Sequence, residues 1–255
     1  MRSIGEKKGM AANTVESTVC RRAATVGFWD GYARWYKLWL DHTSYHEPVI
    51  TFLKEIAEPG WKVLDIGAGS GVLSLSLADM GCAVTAIEPS IAMRSLLFEE
   101  MFRRGTDVID VDERRWEDMP LFEIQGYDLI LSCNTLHLTT MGFNGALEKI
   151  FAADPDNVLV VTEHVPGTVV RFAYPSHVLG RARTYEADSS FGYHDLEEVL
   201  EHRRFKKGSD LTRNEEIAMI NKITVKDGHL WVRESARVGM YWLRRRLPGH
   251  CWRMQ

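Results

Sequence analysis

Between Val63 and Ser90 the chain reads VLDIGAGSGVLSLSLADMGCAVTAIEPS, with glycines at 67, 69 and 71 and a carboxylate on either side of them, Asp65 and Glu88. Glycine allows positive φ and lets a backbone lie closer to a ligand than a Cβ permits. A nicotinamide dinucleotide site spaces its glycines G-x-G-x-x-G. Here the run is Gly67-Ala68-Gly69-Ser70-Gly71, a G-x-G-x-G. Asp65, two residues before the first glycine, would repel a pyrophosphate and attract an ammonium. Glu88 can accept hydrogen bonds from both hydroxyls of a ribose. This pair of acids suits an adenosine with a cationic amino-acid tail better than a diphosphate. The plain alternative is a tight strand-to-helix turn with no ligand.

The elements around the loop must place those groups together. KVLDIG reads as a buried strand, SGVLSLSLADM as a helix and GCAVTAIE as a second strand. SIAMRSLLFEEMFRRG is a helix, DVIDV a short strand, YDLILSCN a strong strand, NGALEKIFAA a helix and NVLVVTEH a strand. Strands alternating with helices predict a doubly wound, mostly parallel α/β sheet, with the glycine loop at its ligand-binding edge. In the tail, HDLEEVLEHRR reads as a helix. EEIAMINKITV and HLWVRESARVGMYW, around KDGH, read as an antiparallel hairpin closing the sheet. Residues 1–27 are expected to be a flexible N-terminal segment and 28–255 a single domain. Within it, 28–58 would be a helical cover, 60–166 the core, 167–192 a lid or substrate loop, and 193–247 the terminal helix and hairpin.

Three motifs in order, VLDIGAGSG, VTAIEPS and YDLILSCNTLHL, resemble the class I S-adenosylmethionine-dependent methyltransferases of the small-molecule type. The resemblance covers about Lys62 to His164. It implies a Rossmann-like, seven-stranded sheet with a reversed last strand and S-adenosyl-L-methionine as cofactor. It further implies that Asp65 with Gly67, Ala68, Gly69 and Gly71 holds the methionine part, and that Glu88, followed by Pro89, holds the ribose. RRWEDMP matches the adenine-contacting segment, through Trp116 and Glu117, although many members have an Asp followed by a small residue there. Asn134 would lie under the methionine and sulfonium. Tyr32 and Tyr36, on an aromatic leading helix, could reach the methionine carboxylate.

Methyl transfer from a sulfonium is an in-line displacement, driven largely by alignment and exclusion of water. A base is needed only where the acceptor must lose a proton. His137, just past the fourth strand, is the candidate catalytic base and substrate contact; Glu163 and His164, at the next strand end, and Arg171 are candidate substrate contacts. His137 could equally cap a loop. His42 and His46, four apart, could share a helical face, but no metal is expected.

Bulk properties narrow the partners. Among 255 residues the net charge is −4, with 45% hydrophobic and 26% charged residues, which gives no general attraction to nucleic acid or anionic lipid. The Asn/Asp-Pro-Pro-aromatic motif of base-amine methylation is missing: the fourth strand runs into Ser132-Cys133-Asn134-Thr135. No apolar run approaches the length of a membrane span, and scattered Cys20, Cys82, Cys133 and Cys251 fit reduced thiols in the cytoplasm. The expectation is a cytoplasmic methyltransferase, monomer or homodimer, acting on a small-molecule acceptor at oxygen, carbon or a non-base nitrogen, without nucleic acid or membrane. The alternatives are a cofactor-binding but non-catalytic accessory protein, or a methyltransferase of protein or RNA.

Overall fold

The computed structural model describes residues 25–163 and 174–246. The expectations for His164, Arg171, Cys20 and Cys251 concern residues outside these ranges. The single domain expected over 28–255 is arranged as two compact units. One comprises residues 25–44 with Asp188–Ser235; the other comprises Tyr45–Ala187 with the chain from Ala236 onward.

The larger unit holds a seven-stranded sheet in the order β3-β2-β1-β4-β5-β10-β6. Its strands are β1 Lys62–Ile66, β2 Ala83–Ile87, β3 Ile109–Asp112, β4 Leu129–Cys133, β5 Asn157–Glu163, β6 His177–Asp188 and β10 Ser235–Arg245. The first five are parallel, and β10 runs antiparallel to β5, pairing Val238 with Glu163 and Arg244 with Asn157. Buried strands such as LILSC need both faces covered, and flanking helices cover them: α2 Glu47–Ile56, α3 Val72–Asp79, α4 Ile91–Arg104 and α5 Gly142–Ala152. Leu64, Ile66, Ile130, Leu147, Ile150, Val158 and Val160 form the centre of the core. Strand order reverses between β1 and β4, which opens a crevice at their carboxyl ends.

The smaller unit contains α1 Val26–Leu40, then β7 Phe191–Tyr193, α6 Leu196–Lys207, α7 Arg213–Ile220, β8 Ile223–Lys226 and β9 His229–Val232. Helix α1 starts inside the segment expected to be flexible, with the Thr25 hydroxyl accepting from Phe28 N. Its aromatic side chains meet α6: Trp35 stacks on His202 at 4.7 Å, and Phe28 lies 5.3 Å from Phe205.

Three expectations about the second half change. The span 167–192 carries β6 and most of β7 among its described residues. β6 ends the sheet, and edge strands carry exposed charges, here Arg181, Arg183 and Glu186, which hide the strand pattern. EEIAMI is helical, because Thr212 and Glu215 form a capping box. The hairpin forms around Asp227 and Gly228, both at positive φ, but β8 and β9 join β7 in a separate three-stranded sheet. The reversed strand of the main sheet is β10. His42 lies in the turn after α1 while His46 caps α2, so they share no helical face. Among the described residues no three metal-ligating side chains converge, and no helix is long and apolar enough to cross a membrane.

Candidate functional site

The glycine loop leaves β1 at Ile66 and is hooked onto the end of β2, with Gly67 N and Ala68 N both donating to Ile87 O at 2.8 and 3.0 Å. Gly67, Gly69 and Gly71 take φ of 68°, 60° and 80°. Two of them also answer to the protein's own packing. A Cβ on Gly67 would lie 2.3 Å from Thr135 Cγ2, and one on Gly71 would lie 2.2 Å from Leu97 Cδ1 on α4. The loop is thus wedged between the end of β4 and a neighbouring helix, with Gly71 capping α3. The Ser70 hydroxyl is buried there without a hydrogen-bond partner, an unmet polar group of the kind a polar ligand satisfies.

Both acids are buried beside this loop. One oxygen of Glu88 accepts from Gly69 N at 2.9 Å and the other from Ser90 N at 2.8 Å. The carboxylate is fixed in direction by these two bonds. Pro89, half-buried, leads from it into α4. Asp65 accepts from Ser74 Oγ at 2.7 Å. Burial pushes its pKa up to about 7; the Ser74 hydrogen bond opposes the rise and the charge of Glu88 adds to it. A cationic group placed nearby would reverse that shift.

The segment after β3 is turned differently from the expectation. The Trp116 indole is buried in the core, its Nε1 donating to Ala146 O at 3.2 Å, with the Lys149 ammonium 4.7 Å from the ring centroid. Glu117 accepts from Thr140 N and Oγ1 at 3.2 and 2.9 Å. Both side chains are engaged by the protein itself, because the apolar turn after β3 must seal the sheet against α5.

At the carboxyl ends of β4 and β5 a closed hydrogen-bond ring appears that the sequence did not announce. Asn134 adopts φ 55° and accepts from Glu163 N through Oδ1 at 2.8 Å. That leaves its Nδ2 to donate to Tyr45 OH at 2.6 Å. The Tyr45 hydroxyl in turn donates to Glu163 Oε1 at 3.1 Å. Burial pushes the Tyr45 hydroxyl pKa well up, with Cys133 and Glu163 contributing, so it stays a neutral donor. The neighbouring Cys133 thiol is raised mainly by burial, with Asp65 and Glu163 adding. Tyr185 lies within electrostatic reach of Cys133, and its hydroxyl is buried without a partner. Tyr45 and Tyr185 were missed because neither sits in a motif; only the fold brings them to the strand ends.

His137 sits in a single 3-10 turn, Leu136–Leu138, one step beyond Asn134 and Thr135. It is exposed, yet the protein around it desolvates the imidazole enough to lower its pKa. It is therefore neutral near pH 7, as a base must be. Tyr32 and Tyr36 belong to the smaller unit, where Tyr32 stacks on Phe28 at 5.2 Å and Tyr36 lies 5.4 Å from Trp39.

Residues 63–153 match the family described as a methyltransferase domain. Over 101 residues the chain is 35% identical to an uncharacterized methyltransferase of Staphylococcus carnosus, a match that covers 38% of this chain and 45% of that protein. The chain therefore spans less than half the length of that relative. Among solved structures, the YcgJ protein of Bacillus subtilis superposes with a TM-score of 0.52 at 12% identity, covering 80% of this chain and all of the other. The cyclase SpnF superposes with a TM-score of 0.52 at 14% identity, covering 78% and 81%. Over residues 63–153 the chain is thus similar to a methyltransferase domain, and its fold is the one expected from the sequence.

Proposed function

We propose that this protein is an S-adenosylmethionine-dependent methyltransferase that acts on a small molecule at oxygen, carbon or a non-base nitrogen. The observation that carries the reading is the Glu88 carboxylate, braced by Gly69 N and Ser90 N beside the glycine loop of the matched domain. A carboxylate oriented in this way suits the two hydroxyls of a vicinal diol. Asp65 supplies a buried anion whose proton a cationic amino-acid end would displace. The unmet Ser70 hydroxyl fits a polar ligand across the loop. When bound, the cofactor supplies a methyl group on a positively charged sulfur. The protein's part is then to align an acceptor and exclude water. Asn134 shapes the floor at the β4 end, and neutral His137 is placed to take a proton from an acceptor that must lose one. Trp116 supports the adenine side from the core, so Trp116 and Glu117 would contribute there through backbone rather than side chain.

A net charge of −4 and the absence of the proline clamp after β4 favour a small acceptor over nucleic acid. We read the protein as cytoplasmic, working as a monomer or homodimer. Calorimetry with S-adenosylhomocysteine and with NAD tests the cofactor. Binding of the thioether in the micromolar range, with none for NAD, is expected, and the reverse preference would refute the reading.

A further inference from the structure

The ring through Asn134, Tyr45 and Glu163 has a fixed direction. Asn134 has one oxygen, and Glu163 N occupies it, so its amide nitrogen must face Tyr45. Tyr45 has one hydroxyl hydrogen and already accepts from Asn134, so it donates to Glu163 Oε1. The ring starts at the Glu163 backbone and closes on the Glu163 side chain. Its product is a carboxylate pinned through Oε1, with Oε2 making no hydrogen bond to any described residue. Glu163 is exposed, and among the described residues no lysine, arginine or histidine forms an ion pair with it. Asn134 holds a left-handed backbone to make this possible, a conformation that costs energy outside glycine and tends to persist at functional sites. The Tyr45 hydroxyl touches this carboxylate, and the Cys133 thiol lies within its electrostatic reach.

An oriented anion beside a neutral hydroxyl is complementary to a cation and repels an acidic acceptor. We propose that Glu163 is the acceptor-binding residue of this methyltransferase and that the acceptor is an amine, held as its ammonium by Oε2. The proposal rests on the cofactor reading above. Tyr45 and Asn134 act through Glu163 and are positioning residues. The ammonium proton passes to a base, for which neutral His137 is the candidate named above, and then to solvent, and the freed nitrogen lone pair forms the new C–N bond as the C–S bond breaks. The electron pair of that bond stays on sulfur, and the product leaves as an N-methylammonium.

The test uses the full chain saturated with S-adenosylhomocysteine, probed by calorimetry with N-methylphenethylamine and with 3-phenylpropionate. The amine is expected to bind at least about tenfold tighter than the carboxylate, as a charge-assisted hydrogen bond dictates. Glu163→Gln should abolish that preference while S-adenosylhomocysteine affinity stays within about twofold. Tyr45→Phe, which keeps the ring, should weaken amine binding severalfold and broaden its pH dependence, measured on a chain that circular dichroism shows to be folded. Failure of the amine to bind, or undiminished amine affinity in Glu163→Gln, overturns the proposal. So does a Glu163→Gln variant that loses S-adenosylhomocysteine instead, since Glu163 would then hold the cofactor's own ammonium. A wild-type chain that ignores S-adenosylhomocysteine altogether refutes the cofactor reading instead.

Discussion

Replacing Asp65 by asparagine separates what this carboxylate does for a ligand from what it does to the fold. The side chain is 2% exposed, and its pKa rises from 3.8 to about 7 because burial disfavours the charge more than Ser74 stabilises it. The folded pKa lies above the unfolded one, so the native state holds the proton more tightly. Stability is therefore lost as pH rises from 3.8 towards 7, and the penalty is complete above that. At 1.36 kcal/mol per pH unit the full penalty is about 4 kcal/mol, an upper bound once relaxation and the high effective dielectric of real interiors are allowed for. Asparagine keeps the shape and an oxygen for Ser74 without the charge. In urea unfolding at pH 8, Asp65→Asn should be more stable than wild type by about 2–4 kcal/mol, and at pH 4 the two should agree within about 0.5 kcal/mol. The same substitution should weaken S-adenosylhomocysteine binding by about 1.5–3 kcal/mol. Calorimetry of the wild type near pH 7, in buffers of different ionisation enthalpy, should detect proton release on binding. An asparagine variant no more stable at pH 8, or a difference that does not change with pH, would refute the argument.

Glu88→Gln should weaken S-adenosylhomocysteine binding by about 2 kcal/mol in the same calorimetry, because charge-assisted bonds to the ribose are lost. Gly71→Ala should cost about 2–4 kcal/mol in urea unfolding, from a left-handed backbone and a clash with Leu97, and Leu97→Ala in the same chain should restore part of it. Trp116→Ala should cost about 3–5 kcal/mol of stability through the cavity it leaves, whereas a Trp116→Phe chain that folds normally should bind cofactor nearly unchanged. His137→Ala should lower kcat more than cofactor affinity, and the acid limb of the wild-type rate profile should fall below 6.5; equal losses would mark His137 as packing only.

The core of the sheet was legible because its physics is local. A parallel strand buried on both faces must be a continuous apolar run, as LILSC and NVLVV are, and a loop that turns at positive φ with no room for a Cβ, as at Gly67 and Gly71, must be glycine. Edges obey other rules. β6 carries charges to discourage pairing with another chain, so its residues read as a loop. The helix at Arg213 was legible in principle, since Thr212 and Glu215 spell a capping box, but the apolar residues that follow imitate a strand. The candidate site divides in the same way. Glu88 and the glycines belong to one contiguous stretch. Tyr45 and Tyr185 lie 140 positions apart in sequence and meet near Cys133 only after the sheet has formed. Trp116 shows the opposite failure: a residue in the expected register of a ligand-contacting segment whose large apolar ring is claimed by the core.

Just past the end of β6 and just before β10, two backbones are stapled together. Ser189 N donates to Glu234 O at 3.0 Å, and Glu234 N donates back to Ser190 Oγ at 3.1 Å, while β6 and β10 are themselves neighbours in the sheet. Everything from 191 to 233 thus departs and returns through one stapled pair of backbones. A stretch of chain that leaves and returns at one point is of the kind that insertion and recombination can lengthen, shorten or trade. Helix α1 is the hostage in any such trade, because Phe28 and Trp35 rest on Phe205 and His202, so a lineage that swapped the stretch would have to rewrite the leading helix along with it.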